Sequence, residues 1–289
     1  MITIDGNILV ETAYQGSNNS IIRTAEGSVL IDSPFRPSDA VAWNLIVESY
    51  GPVRYLINTD HHPDHTFGNG FLKGEVIGHH GTRELMEAGA SEAVALPLLD
   101  PQGYATHVEG KNYKSRSPSI TFSETMRLRV GAVDFELLHA PGHTANTIAV
   151  YLPRQEVVFC GDAICEAGIP SFVDANIYDW LDTISKIEKL KIRYLITGHG
   201  EVCGPEVIDR FRRQINQVIG EVELRIDLGQ SREKISREVT YEDRIHTCVN
   251  GWTGFPDWLV KVIIERSVER VYDDIQRKRG VLPESSAAR

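Results

Sequence analysis

The feature that most limits how this chain can fold is a junction that it repeats. Four short apolar runs each break off at a turn carrying histidine or aspartate. "VRYLINT" runs into Asp60-His61-His62-Pro63-Asp64-His65, "VDFELLHAPGH" ends on His143, "EVVFCGD" on Asp162, and "RYLITGHG" carries His199. Short runs rich in Val, Ile, Leu and Phe, bounded by Gly, Asn or Pro, read as β-strands. Strand ends converge on one edge of a sheet, so residues distant in sequence can meet there. The densest junction, "INTDHHPDHTFGN" from Ile57 to Asn69, packs three histidines and two aspartates into Asp60–His65.

The rest of the chain supports a mixed fold. "NILVETAYQ", "NSIIRTAEG" and "SVLIDSP" read as a meander broken by Gly and Asn. "PSDAVAWNLIVESYG" reads as a helix with Ser38 as its N-cap and Gly51 just past its end. "GEVIGH" is then a strand and "GTRELMEAGA" a helix. "SITFSE", "TMRLRVG" and "VDFELLHAPGH" read as a second set of strands, continued by "TIAVYLP" and "EVVFCGD", and Asn176 caps the helix "NIYDWLDTISKIEKLK". Between the two sets, Ser91 to Ser117 has no clear period and reads as a long surface insertion, a lid or an interaction arm. Beyond Gly204 the pattern changes. Ile208, Phe211, Ile215, Val218, Val222 and Ile226 recur at steps of three and four, and so do Val260, Ile264, Val268, Val271 and Ile275. These are amphipathic helices whose apolar faces need the body of the fold, the rim of a site, or a second copy of the chain. The expected organisation is a domain over 1–203 and a helical extension over 204–289.

Composition narrows the partners. The 289 residues carry 30 Lys and Arg against 40 Asp and Glu, a net charge of −10. Affinity for nucleic acid comes largely from Lys and Arg neutralising phosphates, and there is no strongly basic run, Arg277 to Arg279 being the nearest to one. No nucleic-acid partner is expected. The start, "MITIDGNILVETAYQGSNN", has no basic stretch followed by an apolar one, so neither a signal peptide nor a membrane span is expected. Cys160, Cys165, Cys203 and Cys248 match no metal or redox spacing. The chain reads as cytoplasmic, with reduced thiols.

Imidazole and carboxylate together suit Zn²⁺, Fe²⁺ or Mn²⁺. The donors at the four junctions suffice for two ions, which together can activate a water and polarise a carbonyl or phosphoryl oxygen. At this point the chain resembles the metallo-β-lactamase-fold superfamily of hydrolases. That family's signature is His-x-His-x-Asp-His, then a histidine after a Pro-Gly turn, a Gly-Asp pair and a late Gly-His. The resemblance covers roughly Asn7 to Glu201. It implies an α+β fold, a four-layer αββα sandwich with its site at one edge of the two sheets, and makes 1–203 the catalytic domain. By the same resemblance, one site would be Asp60, His62 and His143, and the other Asp64, His65 and His199, with Asp162 bridging. Asp32, which ends an early strand, would support the metal loop from behind.

The chain departs from the family at Asp60, where the signature has histidine. Three readings stand. Asp60 ligates through a carboxylate oxygen and makes its site harder, favouring Mn²⁺ or Fe²⁺ more than an all-histidine site would. Alternatively Asp60 is misdirected and one metal sits at the other site. Or His61 shifts register and substitutes, against the rule that neighbours on an extended segment point opposite ways.

The expected function is a metal-dependent hydrolase, with one or two Zn²⁺ and Mn²⁺ or Fe²⁺ as alternatives. A metal-activated water would attack an ester-like bond in a small molecule: a lactone, a thioester or a β-lactam. Asp64 or Asp162 would carry the proton. The alternatives are a phosphodiesterase, an iron-dependent oxidoreductase, and a non-catalytic binding protein on the same fold. A homodimer through the C-terminal helices is a further expectation. Of the other residues, Thr144 and Asn146 could line the site, Cys203 reads as structural, and Trp252, Phe255 and Trp258 read as packing at a helix start.

Overall fold

In the computed structural model of the chain, residues 1–90, 93, 95, 116–166, 171–241 and 257–283 are described. The strands are β1 (Ile2–Ile4), β2 (Ile8–Glu11), β3 (Asn19–Thr24), β4 (Gly27–Ile31), β5 (Val53–Ile57), β6 (Glu75–His79), β7 (Ile120–Phe122), β8 (Thr125–Val130), β9 (Val133–His139), β10 (Ile148–Leu152), β11 (Val157–Gly161) and β12 (Tyr194–Thr197). The helices are α1 (Pro37–Ser49), α2 (Pro63–Thr66), α3 (His80–Glu87), α4 (Ile177–Ile187), α5 (Glu206–Asp227), α6 (Arg232–Glu238) and α7 (Asp257–Lys278).

The strands form two sheets. One runs β1 to β7 in chain order, antiparallel as far as β4 and parallel from β4 to β7. The other has the order β12-β11-β10-β9-β8, with only β11 and β12 parallel. Their inner faces share one apolar layer. Ile8, Val10, Ile22, Val29, Ile31 and Ile57 meet Phe135, Leu137, Ile148, Val150, Phe159 and Ile196 there. Strand residues alternate between faces, so Leu9, Ile21, Leu30 and Leu56 turn outward onto Trp43 and Val47 of α1. Ala149, Val158, Cys160 and Leu195 turn outward on the other sheet and pack with α4, α5, α6 and α7. The result is the four-layer αββα sandwich.

Each amphipathic stripe beyond Gly204 finds its place on that last layer. Val207, Ile208, Phe211, Ile215, Val218 and Val222 of α5 and Val260, Ile264, Val268, Val271 and Ile275 of α7 are buried in one cluster with Trp180 of α4. The helices therefore complete the core of the second sheet. Among the described residues no helix is long and apolar enough to cross a membrane.

Local details differ from the sequence reading. Ser38 does not cap α1. Pro37 takes the first helical position with Arg36 in the extended cap position, because proline's fixed φ suits that place and its missing N–H costs nothing there. The strand in "SITFSE" pairs in parallel with β6 and so belongs to the first sheet. β1, which pairs with β2, and α6, whose first turn Ser231 caps through Lys234 N, are additional elements. The insertion from Ser91 to Ser117, Trp252, Phe255 and Cys248 fall mostly or wholly outside the described residues. Trp258 is 66% exposed among the described residues, against the expectation that it packs at the helix start.

Candidate metal centre

The four junctions converge at one edge of the sandwich. β5 ends at Ile57 and feeds Asp60, the β9–β10 turn carries His143, β11 feeds Asp162, and β12 feeds His199. Pro63 starts the single turn of α2. Glycine clears the room. Gly161 has φ +48, and a Cβ there would lie 2.6 Å from Thr59 Oγ1. A Cβ on Gly198 would collide with Asp162 Oδ1. Gly142 plays the same part before His143, where a Cβ would run into Trp180, whose indole lies 5.4 Å from the His143 ring.

The donor atoms fall into two groups that share Asp162. In the first, Asp60 Oδ2 lies 3.4 Å from His62 Nδ1 and 3.9 Å from His143 Nε2. His143 Nε2 is 3.1 Å from His62 Nδ1 and 3.5 Å from Asp162 Oδ2. In the second, Asp64 Oδ2 lies 3.2 Å from His199 Nε2 and 3.8 Å from His65 Nε2. Asp162 Oδ1 is 3.4 Å from His199 Nε2 and 3.6 Å from His65 Nε2. A tetrahedral shell with bonds of about 2.1 Å places its corners about 3.4 Å apart, so both groups have the spacing of ligands around an ion.

Their hydrogen bonding fits the same reading. Asp60 is fully buried, and its Oδ1 accepts from His62 N at 2.8 Å while Oδ2 makes no hydrogen bond. His65 Nε2 and Asp162 Oδ1 are likewise buried without one. Buried polar atoms left unpaired are costly; three such atoms, Asp60 Oδ2, His65 Nε2 and Asp162 Oδ1, face this cluster. The residues present fit a metal.

Behind the second group, His65 Nδ1 contacts Asp32 Oδ2 at 2.8 Å, and Asp32 accepts from Thr59 N and Thr59 Oγ1, each at 2.7 Å. His199 Nδ1 donates to Gly16 O at 3.1 Å. Those bonds put the ring hydrogen on Nδ1 and leave Nε2 facing the centre. Behind the first group, His62 Nε2 is 3.2 Å from Asp174 Oδ2. Asp174 escapes sequence reasoning: "SFVDAN" has no motif, and only the fold brings it to His62. His61 turns elsewhere, with Nδ1 against the Asn146 side chain, whose Oδ1 also accepts from Thr82. Thr144 caps its own turn, its Oγ1 accepting from Asn146 N. His139 stacks on His79 and donates to Ala145 O. Cys203 is half-buried, with Sγ donating to Leu195 O.

Charge is balanced inside the cluster. Burial works to raise the Asp60 carboxyl, but the rings of His65, His62 and His143 hold it well below the usual range. Asp162 is held down against burial by His199 and His65, and Asp64 by His65 and His199. The carboxylates in turn push His62, His65 and His199 well up, again against burial. Burial wins at His143, which is lowered, and at His61, which falls to about 4. The hydrogen bond with His62 takes Asp174 to about 2. Burial raises Asp32 despite His65 and Thr59. The carboxylates therefore favour protonation of the His62, His65 and His199 rings, and a bound ion would compete with those protons.

Known proteins give the same picture. The family model described as Metallo-beta-lactamase superfamily matches residues 14–199. A hydroxyacylglutathione hydrolase from Rhodospirillum rubrum is 27% identical over 176 residues, 59% of this chain and 57% of that one. A metallo-beta-lactamase type 2 from Bacteroides fragilis is 21% identical over 211 residues, 70% of this chain and 76% of that one. The chain spans little more than half the length of several hydroxyacylglutathione hydrolases that it matches. A solved metallo-beta-lactamase from Pontibacter korlensis shares the fold, with a TM-score of 0.61 and 19% identity over 74% of this chain and 97% of that one. By sequence match, sheet order and the placing of its four junctions, the chain belongs to the metallo-beta-lactamase superfamily.

Proposed function

We propose that the protein is a metal-dependent hydrolase of an ester-like bond in a small molecule, with a dinuclear centre. One ion would be held by Asp60, His62 and His143, the other by Asp64, His65 and His199, with Asp162 shared between them. The observation that carries this reading is the pair of donor groups meeting at Asp162, with buried donor atoms that lack any other partner. Asp60 is preferred over His61 as the seventh ligand because its free oxygen faces His62 and His143, whereas His61 faces Asn146. Bound divalent ions, zinc by family likeness, would supply Lewis-acid polarisation of the carbonyl and an acidified water. The chain's own part is to orient and to move protons. Asp32 and Gly16 O fix His65 and His199 with Nε2 presented. Asp64, 21% exposed in its side chain, is the more open of the two candidate proton carriers, and Asp162 is nearly closed off.

The ester-like class is supported by relatives whose names specify hydroxyacylglutathione, an acylated thiol, and β-lactams. The test is metal analysis of the purified protein together with a screen of lactone, thioester, β-lactam and phosphodiester substrates. Two equivalents of zinc with turnover of one ester-like class is the expected result. Iron with redox turnover, or a protein that takes up no metal, would overturn the proposal. The domain over 1–203 would carry the chemistry, and 204–289 would support it from the outer face of the second sheet.

A further inference from the structure

His62 shows its two ring nitrogens to different partners. Nδ1 faces the centre, 3.4 Å from Asp60 Oδ2 and 3.1 Å from His143 Nε2. Nε2 faces the rim, 3.2 Å from Asp174 Oδ2. An ionised carboxylate can only accept, so the ring hydrogen in that contact belongs to Nε2. A neutral imidazole has one hydrogen and one lone pair, and the lone pair is then on Nδ1. We infer that Asp174 is the positioning residue of His62, holding the ring's orientation and keeping Nδ1 free to take a metal ion. The inference rests on the reading of His62 as a ligand.

The segment that carries Asp174 is held from two sides. Ser267 Oγ accepts from Phe172 N at 3.0 Å, Asp274 Oδ2 accepts from Ile177 N at 3.1 Å, and Arg270 Nε donates to Ala175 O. Ser267, Arg270 and Asp274 follow at helical spacing and so share one face of α7. Ser267 and Asp274 are buried polar residues on that face. Such groups are costly unless they are paired, and here the backbone around Asp174 pairs them. From the other side, Asn176 N donates to Gly142 O at 2.8 Å, tying the same segment to the turn that carries His143. A line of contacts therefore runs from α7, outside the family-matched residues 14–199, through residues 172–177 to Asp174 and His62.

A direct ligand role for Asp174 is the competing possibility, because donor atoms of His61, His62 and Asp174 also lie within 4.8 Å of one another. His62 argues against it. A ring that gives Nδ1 to the centre has no second lone pair to offer at Nε2.

The test is Zn²⁺ binding to the full-length protein in competition with a chromophoric chelator, with bound zinc also counted at saturation. Wild type, Asp174→Ala, Asp174→Asn and Ser267→Ala are compared. Removing an outer partner of a ligating histidine weakens metal affinity by about 10–100-fold. Asp174→Ala should show that loss in one binding step only, with the count at saturation unchanged. Asp174→Asn, whose amide oxygen accepts the same N–H, should recover most of the affinity. Ser267→Ala should weaken the same step by less. Equal affinities in wild type and Asp174→Ala would overturn the inference, and so would an Asn variant as weak as Ala. A lower count at saturation would make Asp174 a ligand and overturn it too. Wild type that binds no zinc would sink the metal reading with it, whereas two ions bound equally well by wild type and Asp174→Ala would sink this inference alone.

Discussion

The two halves of the centre have the same number of donors but unequal backing. In the inner half, His65 is fully buried and leans on Asp32, which Thr59 grips with its backbone N–H and its hydroxyl. His199, also buried, leans on a backbone carbonyl. In the outer half, the His62 side chain is 22% exposed and leans on an Asp174 side chain that is 52% exposed. His143 Nδ1 has no hydrogen-bond partner among the described residues. The outer half is also where an aspartate stands in for the family's histidine. The departure in sequence and the thinner support in structure thus fall on the same donor group, so on the proposed reading the inner half should hold metal more tightly.

The largest effect expected is the loss of the inner half. His65→Ala or Asp64→Ala should reduce hydrolysis to background. The melting temperature of the metal-free protein should change little for Asp64→Ala, because its side chain lies at the edge and packs no core. Activity within a few-fold of wild type in either variant would show that catalysis does not depend on this half.

Next comes the support rather than the ligand. Asp32→Ala removes the acceptor of the His65 ring and of two Thr59 donors at once. Outer partners of this kind are worth about 10–100-fold in metal affinity. Thr59 N, left buried and unpaired, should add about 1–3 kcal/mol of lost stability, while Thr59 Oγ1 keeps a 3.0 Å contact with His65 Nδ1. The variant should therefore erase the difference between the halves, as judged by the two zinc affinities and by urea unfolding. An inner ion still held more tightly than the outer one would mean that burial, not Asp32, makes the difference.

A smaller effect is expected at Asp60. Asp60→Ala should lower bound metal from two ions toward one and slow turnover. Asp60→His should keep two ions and shift preference toward Zn²⁺ over Mn²⁺, because imidazole is the softer ligand. Two ions at full occupancy and undiminished rate in Asp60→Ala would turn attention to His61.

That these donors gather at one edge was legible in the sequence, and the reasons are local. An apolar strand followed by a histidine or aspartate turn is a short-range pattern, and every donor at Asp60, His62, Asp64, His65, His143, Asp162 and His199 sits on one. Asp32 was legible for the same reason, since it directly follows a strand. Asp174 was not, because its place depends on hydrogen bonds from a helix about a hundred residues later, at Ser267 and Asp274. The sheet that takes up β7 was hidden too, because pairing is decided by what lies beside a strand in space. Ser38 looked like a cap only because serine is good at capping, and Pro37 had the stronger claim.

A histidine pair away from the centre shows what burial does where it outweighs the nearby carboxylate of Glu124, and it gives the smallest of the expected effects. His79 stacks on His139 with ring centres 4.4 Å apart and planes at 16°. Its Nε2 donates to Ser123 O, and its Nδ1 accepts from Gly81 N, capping α3. Both nitrogens are thus used by the neutral ring, and a second proton would break the cap. Burial, then the neighbouring His139, push its pKa down to about 4. A histidine depressed in the folded state is protonated more readily in the unfolded chain. Its contribution to stability is therefore complete above the unfolded value near 6.5 and is lost as pH falls from there toward 4. The inner rings of the metal-free centre have the opposite sign: His65 and His199 are raised, so their contribution is present at low pH and fades as pH rises through their folded values. His79→Gln should isolate the first effect. Because the ring is partly solvent-exposed, the loss between pH 7 and pH 5 should be only about 1 kcal/mol greater in wild type than in the variant. Urea midpoints of both metal-free proteins at the two pH values measure it. Parallel losses in wild type and His79→Gln would mean that His79 titrates normally, and that burial and packing against another ring do not suffice to keep it neutral here.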